Sequence, residues 1–290
     1  GKGCSEFLES MHYCIGILIL ERLTLMSDIF MRNVLKKPEC AEYVLQVIMD
    51  NPTLKVVDLV IQKDYKNLQG RSAILDCVAQ DESGRQFNIE VQQENEGASP
   101  KRARYHSGLL DMNILNPGED YEKLPETYVI FITKDDVLKK NLPIYHIRRT
   151  VQETNEIFDD HTHIIYVNSK ICDDTKLGRL MHDFHCRRAS DMHSTVLAQR
   201  VRELKETPEG GISMCEEMEK IYSEGRTEGR LEGRMEGRLE GRLEGRMEGQ
   251  RKMALSLANM GMPSEKIAEA AGVSVELVEG WIVGDKKVDK

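Results

Sequence analysis

The chain has 290 residues, of which 40% are hydrophobic and 31% charged, and a formal net charge of −9. That length suits one good-sized domain plus something smaller, and the composition is that of a globular chain with a solvated surface. The acidic balance excludes a general basic coat for nucleic acid but not a local basic groove, because the Lys and Arg residues cluster at 101–104, 139–149 and 179–188.

The apolar run at 14–20 (CIGILIL) stops at Glu21-Arg22, far short of the ~20 residues needed to span a bilayer. No small-residue cleavage site follows it convincingly, so a cytoplasmic chain with no membrane contact is expected. Helical spacing of Leu23, Met26, Phe30 and Val34, then Val44, Leu45 and Ile48, predicts helix over 23–49, broken at Pro38 and ended by Pro52. Residues 56–61 (VVDLVI) read as a strand leading into a polar loop through Gly70.

Residues 74–92 (ILDCVAQ-DESGR-QFNIEVQ) read as a hairpin, two β-rich runs around Asp81, Glu82, Ser83 and Gly84. If residues 81–85 form the loop, Gln80 faces Gln86, and counting back along the ladder puts Asp76 opposite Glu90. Directly opposed Cβ atoms are about 4.5–5.5 Å apart, so the two carboxylates repel unless something neutralises them. Gln92 points the same way as Glu90, while Ile89 and Val91 point to the opposite, apolar face. A hard divalent cation such as Mg2+ is the natural neutraliser, since it takes carboxylate oxygens.

After the hairpin, Ser99-Pro100 opens a helix, with Ser as N-cap and Pro in the first turn. This helix runs to about Leu115, ahead of Asn116-Pro117-Gly118. Residues 127–133 (TYVIFIT) have the all-apolar look of a central strand. Residues 144–147 and 163–167 are expected as peripheral strands, and 174–205 as helix. The order of elements predicts an α/β sandwich, a mixed sheet with helices packed on it.

Asp, a β-turn, then Glu-x-Gln resembles the PD-(D/E)XK nuclease superfamily. With its flanks the chain is similar to the bacterial Rpn-type recombination-promoting nucleases, also described as PD-(D/E)XK nuclease family transposases. Asp28-Ile-Phe-Met-Arg32 resembles that family's N-terminal Asp-x-x-Phe-Lys segment, with Met31 and Arg32 in place of Phe and Lys. Lys101-Arg-Ala-Arg-Tyr105 resembles the basic helix after the hairpin, and the Glu-Gly-Arg repeats resemble the family's tail. The resemblance implies a restriction-endonuclease-like αβββαβ core with the active carboxylates at one sheet edge, a helical C-terminal tail, and metal-dependent hydrolysis of DNA in recombination or transposition. Asp76 and Glu90 would hold Mg2+ or Mn2+, with the Val91 carbonyl as a third ligand. Gln92 stands where the family usually has Lys; being neutral, it can only position water through hydrogen bonds. Lys101 or Arg104 is then expected to supply the missing charge.

For Asp28, an N-cap and a role as an additional acid at the metal site are equally open. Arg32 reads as a surface residue more readily than as a phosphate ligand. Lys101, Arg102 and Arg104 are either a solvated helix face or phosphate contacts. Arg32, Lys101, Arg104 and Tyr105 are thus the candidates for DNA contact, Tyr105 more readily as rim or core. The seven cysteines are odd in number and lack a C-x-x-C pair, so they read as reduced thiols, neither a disulfide framework nor a zinc site. The eight histidines, His161, His163, His182 and His185 among them, read as incidental.

The expected organisation is a nuclease-like domain at 1–205, a linker at 206–250 and a small helical hairpin at 251–290. Within the linker, residues 224–249 repeat Glu-Gly-Arg-x, with Leu or Met at most x positions. A spacing of 4 drifts about 40° per repeat around a helix, and each glycine costs ~1 kcal/mol against alanine. The segment is therefore either a flexible, partly helical spacer or a helix packed on another copy of the chain. Two short helices around Gly261 and Gly272, with Ser264 and Ser274 as N-caps, outline a helix-turn-helix. Glu276 and Glu279 on the second favour packing or self-association over DNA contact. Two rivals to the nuclease remain: an inactive, nuclease-derived binding or regulatory module, and a self-associating protein.

Overall fold

The computed structural model describes residues 16–65 and 73–288, and the chain divides into two units, Gly1–Glu219 and Lys220–Lys290. In the first unit, residues 16–22 are helical (α1). Then follow α2 (Asp28–Leu35), α3 (Pro38–Ile48), β1 (Val56–Tyr65), β2 (Ala73–Asp81), β3 (Gln86–Gln92), a 3-10 turn (Asn95–Ala98), α4 (Pro100–Met112), β4 (Thr127–Thr133), β5 (Ile144–Ile147), β6 (Thr162–Asn168), α5 (Lys176–His185), α6 (Thr195–Lys205) and the start of α7 (Pro208–Asn259).

The strands form one mixed sheet in the order β1-β2-β3-β4-β6-β5. β1, β2 and β3 are antiparallel, β3, β4 and β6 run parallel, and β5 returns antiparallel on β6. This is the α/β fold expected, with β4 buried at every residue. β6, however, is internal; of these two strands β5 alone lies at an edge. Its run His163–Val167 is bracketed by Thr162 and Asn168 and pairs on both sides, something no local pattern reports.

Two cores cover the sheet. Cys77, Ala79, Phe87, Ile89 and Val91 join α2, α3, α5 and α6 in the larger. Val78, Val129, Phe131 and Tyr166 pack with Ala103, Leu109 and Leu110 of α4 in the smaller. The polar side of the hairpin is therefore roofed by α4 rather than open to water.

Helix boundaries moved where side chains compete for backbone groups. Helix is absent over 23–27, because the Thr24 hydroxyl accepts from Met26 N and the Ser27 hydroxyl from Thr24 N, so α2 starts at Asp28. Ser99 caps α4 as expected, accepting from Arg102 N, but α4 ends at Met112, three residues early, where Asn113 Nδ2 takes the Leu109 carbonyl. The expected 174–205 helix is two helices. Asp183 holds the joint between them, accepting from His193 N at 2.7 Å and Ser194 N at 2.8 Å, and Ser194 caps α6. β1 extends to Tyr65, into the expected loop; the rest of that loop, through Gly70, lies outside the described residues.

In the second unit, α7 continues to Asn259, followed by α8 (Ser264–Ala271) and α9 (Val275–Val288). The backbone of the Glu-Gly-Arg repeats is helical throughout. Ala254, Ile267, Ala268 and Val278 form a small core. Ser274 caps α9, accepting from Leu277 N. Pro263, not Ser264, holds the N-cap position of α8. Gly272, at φ +65°, ends α8 in the left-handed conformation that glycine tolerates best. Among the described residues no helix is long and apolar enough to cross a membrane.

Candidate active site

The hairpin turn is built by Asp81. One carboxylate oxygen accepts from Ser83 N at 3.0 Å and Arg85 N at 2.9 Å, and the other takes Arg85 Nε at 2.7 Å. Gly84 supplies the positive φ of 83°. With the turn so closed, Gln80 pairs with Gln86 and Cys77 with Ile89, which puts Asp76 opposite Glu90, the expected register. Both strands are internal, second and third in the sheet, so the carboxylates are not on its edge strand.

Glu90 is 1% exposed. Its Oε1 accepts from Asn88 Nδ2 at 3.0 Å and from Asp76 N at 3.3 Å. Its Oε2 has no hydrogen-bond partner. The Asp76 carboxyl lies within hydrogen-bonding reach of Glu90, and its pKa is raised well above the usual carboxylate range by burial, then by the Glu90 charge, then by Asp28; Arg32 only partly offsets this. On the β1 side Gln62, opposite Asp76 by register, has a φ of +54°, a strained conformation for a side-chain-bearing residue.

Above this floor opens a cleft of about 400 Å³ lined by Met26, Asp28, Asp76, Val91, Gln92, Gln93, Glu94 and Arg102. Asp28, Asp76, Val91 and Gln92 thus come together at one cleft. Gln92 is wrapped by the turn after β3: a Cβ on Gly97 would overlap its carboxamide. Asp28 is the first helical residue of α2 rather than its N-cap, which is Ser27. Burial raises its pKa although Arg32 Nη2 is bonded to it at 2.9 Å.

The site corrects three expectations. Arg32 is not a surface residue: it is 7% exposed, with Nε unpartnered. The α4 cation at the cleft is Arg102; Lys101 and Arg104 are exposed and do not line it, and Tyr105 is 38% exposed. His106 is not incidental. It is buried, with Nδ1 3.5 Å from Glu90 Oε1 and its ring tilted over Phe131. Arg102 Nε stands 3.4 Å from His106 Nε2. A guanidinium only donates, so Nε2 is the acceptor, while Nδ1, on the Glu90 side, has no hydrogen-bond partner. The signal for both residues was present: Arg102 and His106 are a turn apart, and His106 falls in the stripe Ala103, His106, Leu110 that faces the sheet.

The arrangement fits a divalent cation. Two carboxyls crowd each other, one has an orphaned buried oxygen, and the third acid, Asp28, faces the same space. Asp76 and Glu90 would hold the ion, with Val91 beside them. No curated protein and no solved structure matches the chain. Residues 43–177, from within α3 into α5, do match a family model, that of the PD-(D/E)XK nuclease family transposase.

Proposed function

We propose that the domain is a DNA endonuclease dependent on Mg2+ or Mn2+, acting in recombination or transposition. The observation that carries this is the half-buried Asp76 beside the fully buried Glu90, whose Oε2 is unpartnered. A bound divalent ion there would lower the pKa of a water and act as Lewis acid on the phosphoryl oxygens. Asp76 and Glu90 hold that position. Gln92, pinned by Gly97, presents a carboxamide to a water through hydrogen bonds. Arg102 at the cleft provides the positive charge that the neutral Gln92 lacks, suited to a phosphate. Asn88 holds Glu90 in place from the buried side, with the His106 ring beside it.

The test is plasmid nicking across a series of divalent metals, for the wild type and Asp76→Ala. Metal-dependent nicking by the wild type alone supports the reading. Nicking unchanged in Asp76→Ala removes it. The neutral Gln92 favours one alternative, a nuclease-derived DNA-binding module; DNA binding with no metal-dependent cleavage by the wild type would establish that instead. A cytoplasmic setting is part of the proposal, supported by free thiols at Cys40, Cys77, Cys172, Cys186 and Cys215. So is self-association through the repeats. An added Cβ at Gly241, Gly245 or Gly249 meets nothing within 4 Å, which leaves those positions open to a second copy. Light scattering of Gly245→Leu would then show a lower mass than the wild type.

A further inference from the structure

The C-terminal end of α5 gathers side chains that neither the cleft nor the fold's packing fully explains. His182 and Cys186 are one helical turn apart and share a face of α5, with Cys186 at the C-cap. His182 Nδ1 lies 3.5 Å from Cys186 Sγ and 3.5 Å from Asp183 Oδ1. One ligand atom from each of His182, Asp183 and Cys186 lies within 4.8 Å of the other two. The His193 ring, at the start of α6, has its centroid 4.7 Å from that of His182.

The two His182 distances are those of neighbouring ligands around one tetrahedral ion. With Zn–S about 2.3 Å and Zn–N about 2.0 Å, a tetrahedral angle puts S and N about 3.5 Å apart and two light ligands about 3.3 Å apart. Asp183 already accepts two backbone N–H groups, but a carboxylate offers about four lone-pair sites, so two remain. The same hydrogen bonds fix His193 beside His182. We infer that His182, Asp183 and Cys186, with the His193 ring tilted against His182, form a site for a borderline-soft divalent transition ion such as Zn2+ at the joint between α5 and α6. Thiolate and imidazole donors select such an ion over Mg2+, and the Cys186 thiol releases its proton to solvent as the ion binds. No residue lining the cleft lies on α5 or α6, so this ion is separate from the one proposed for Asp76 and Glu90.

The test is Co2+ titration of the metal-free full-length chain, with a phosphine reductant present. The readouts are the near-ultraviolet thiolate-to-cobalt absorption band and its displacement by Zn2+. The expected result is one equivalent of Co2+ giving the band in the wild type and in Asp76→Asn. The band should vanish in Cys186→Ser, and half-saturation should rise at least tenfold in His182→Gln. Absence of the band in the wild type at millimolar Co2+, or its persistence in Cys186→Ser, overturns the inference. Should Cys186→Ser fail to fold, the rise of Tm with Zn2+ decides: it must occur in the wild type and be lost in His182→Gln.

Discussion

Glu90 and Asp183 are both carboxylates removed from water, at 1% and 0% exposure, yet their surroundings differ in kind. Each oxygen of Asp183 accepts a backbone N–H at the start of α6, so the charge is compensated within the fold. Glu90 uses one oxygen, leaves the other orphaned, and has a second acid against it. A buried charge with its partners supplied stabilises local structure; one left short of partners, next to a like charge, is poised for a ligand. The contrast separates an acid whose charge the fold itself compensates from one whose charge the fold leaves short of partners.

Substituting each acid should break that contrast in opposite ways. Glu90→Gln keeps the shape and removes the charge. Metal-dependent nicking should fall about 10³-fold, the loss of several kcal/mol of charge stabilisation, and initial rates on supercoiled DNA will show it. Asp183→Ala strands the backbone N–H groups of His193 and Ser194 and should destabilise the first unit by about 2–6 kcal/mol, at ~1–3 kcal/mol each; urea unfolding measures it.

Asp76→Asn should instead raise the stability of the metal-free protein, by about 1–2 kcal/mol near pH 8. The sign follows from the raised native pKa. Between the unfolded value near 3.8 and the native one, the folded protein holds a proton that the unfolded chain has released. Wild-type stability contributed by this group is therefore present at acid pH and lost as pH rises through the native pKa. The gap between Asp76→Asn and wild type should open over that window, and saturating Mg2+ should narrow it; Tm against pH with and without the ion tests both. Smallest is Arg102→Ala, which should reduce the salt slope of DNA binding by about 1, read by fluorescence anisotropy. An unchanged slope would leave Glu90's cluster without a phosphate partner.

Much of the hairpin was legible because its information is local. Asp81 to Arg85 is a turn by its side chains, and a period of two carries the register from Gln80 and Gln86 to Asp76 and Glu90. Thr127 to Thr133 was legible for the same reason: a run apolar on both faces has one destination. The cation at the cleft was misread, since Lys101, Arg102 and Arg104 differ only in helical phase. Phase is set by how Ala103 and Leu110 seat α4 on Phe131 and Val129, contacts distant in sequence. Arg32 was misread because its burial depends on α2 lying against the sheet.

By itself, then, the order of residues determined the elements, the hairpin register and the crowding of two acids, because each follows from neighbours a few positions apart. Strand order, the roof of α4 with His106 over Glu90, and the meeting of His182, Cys186 and His193 were decided only when helices packed on the sheet. Those outcomes depend on which apolar faces bury each other, and burial is non-directional and shared across the whole chain.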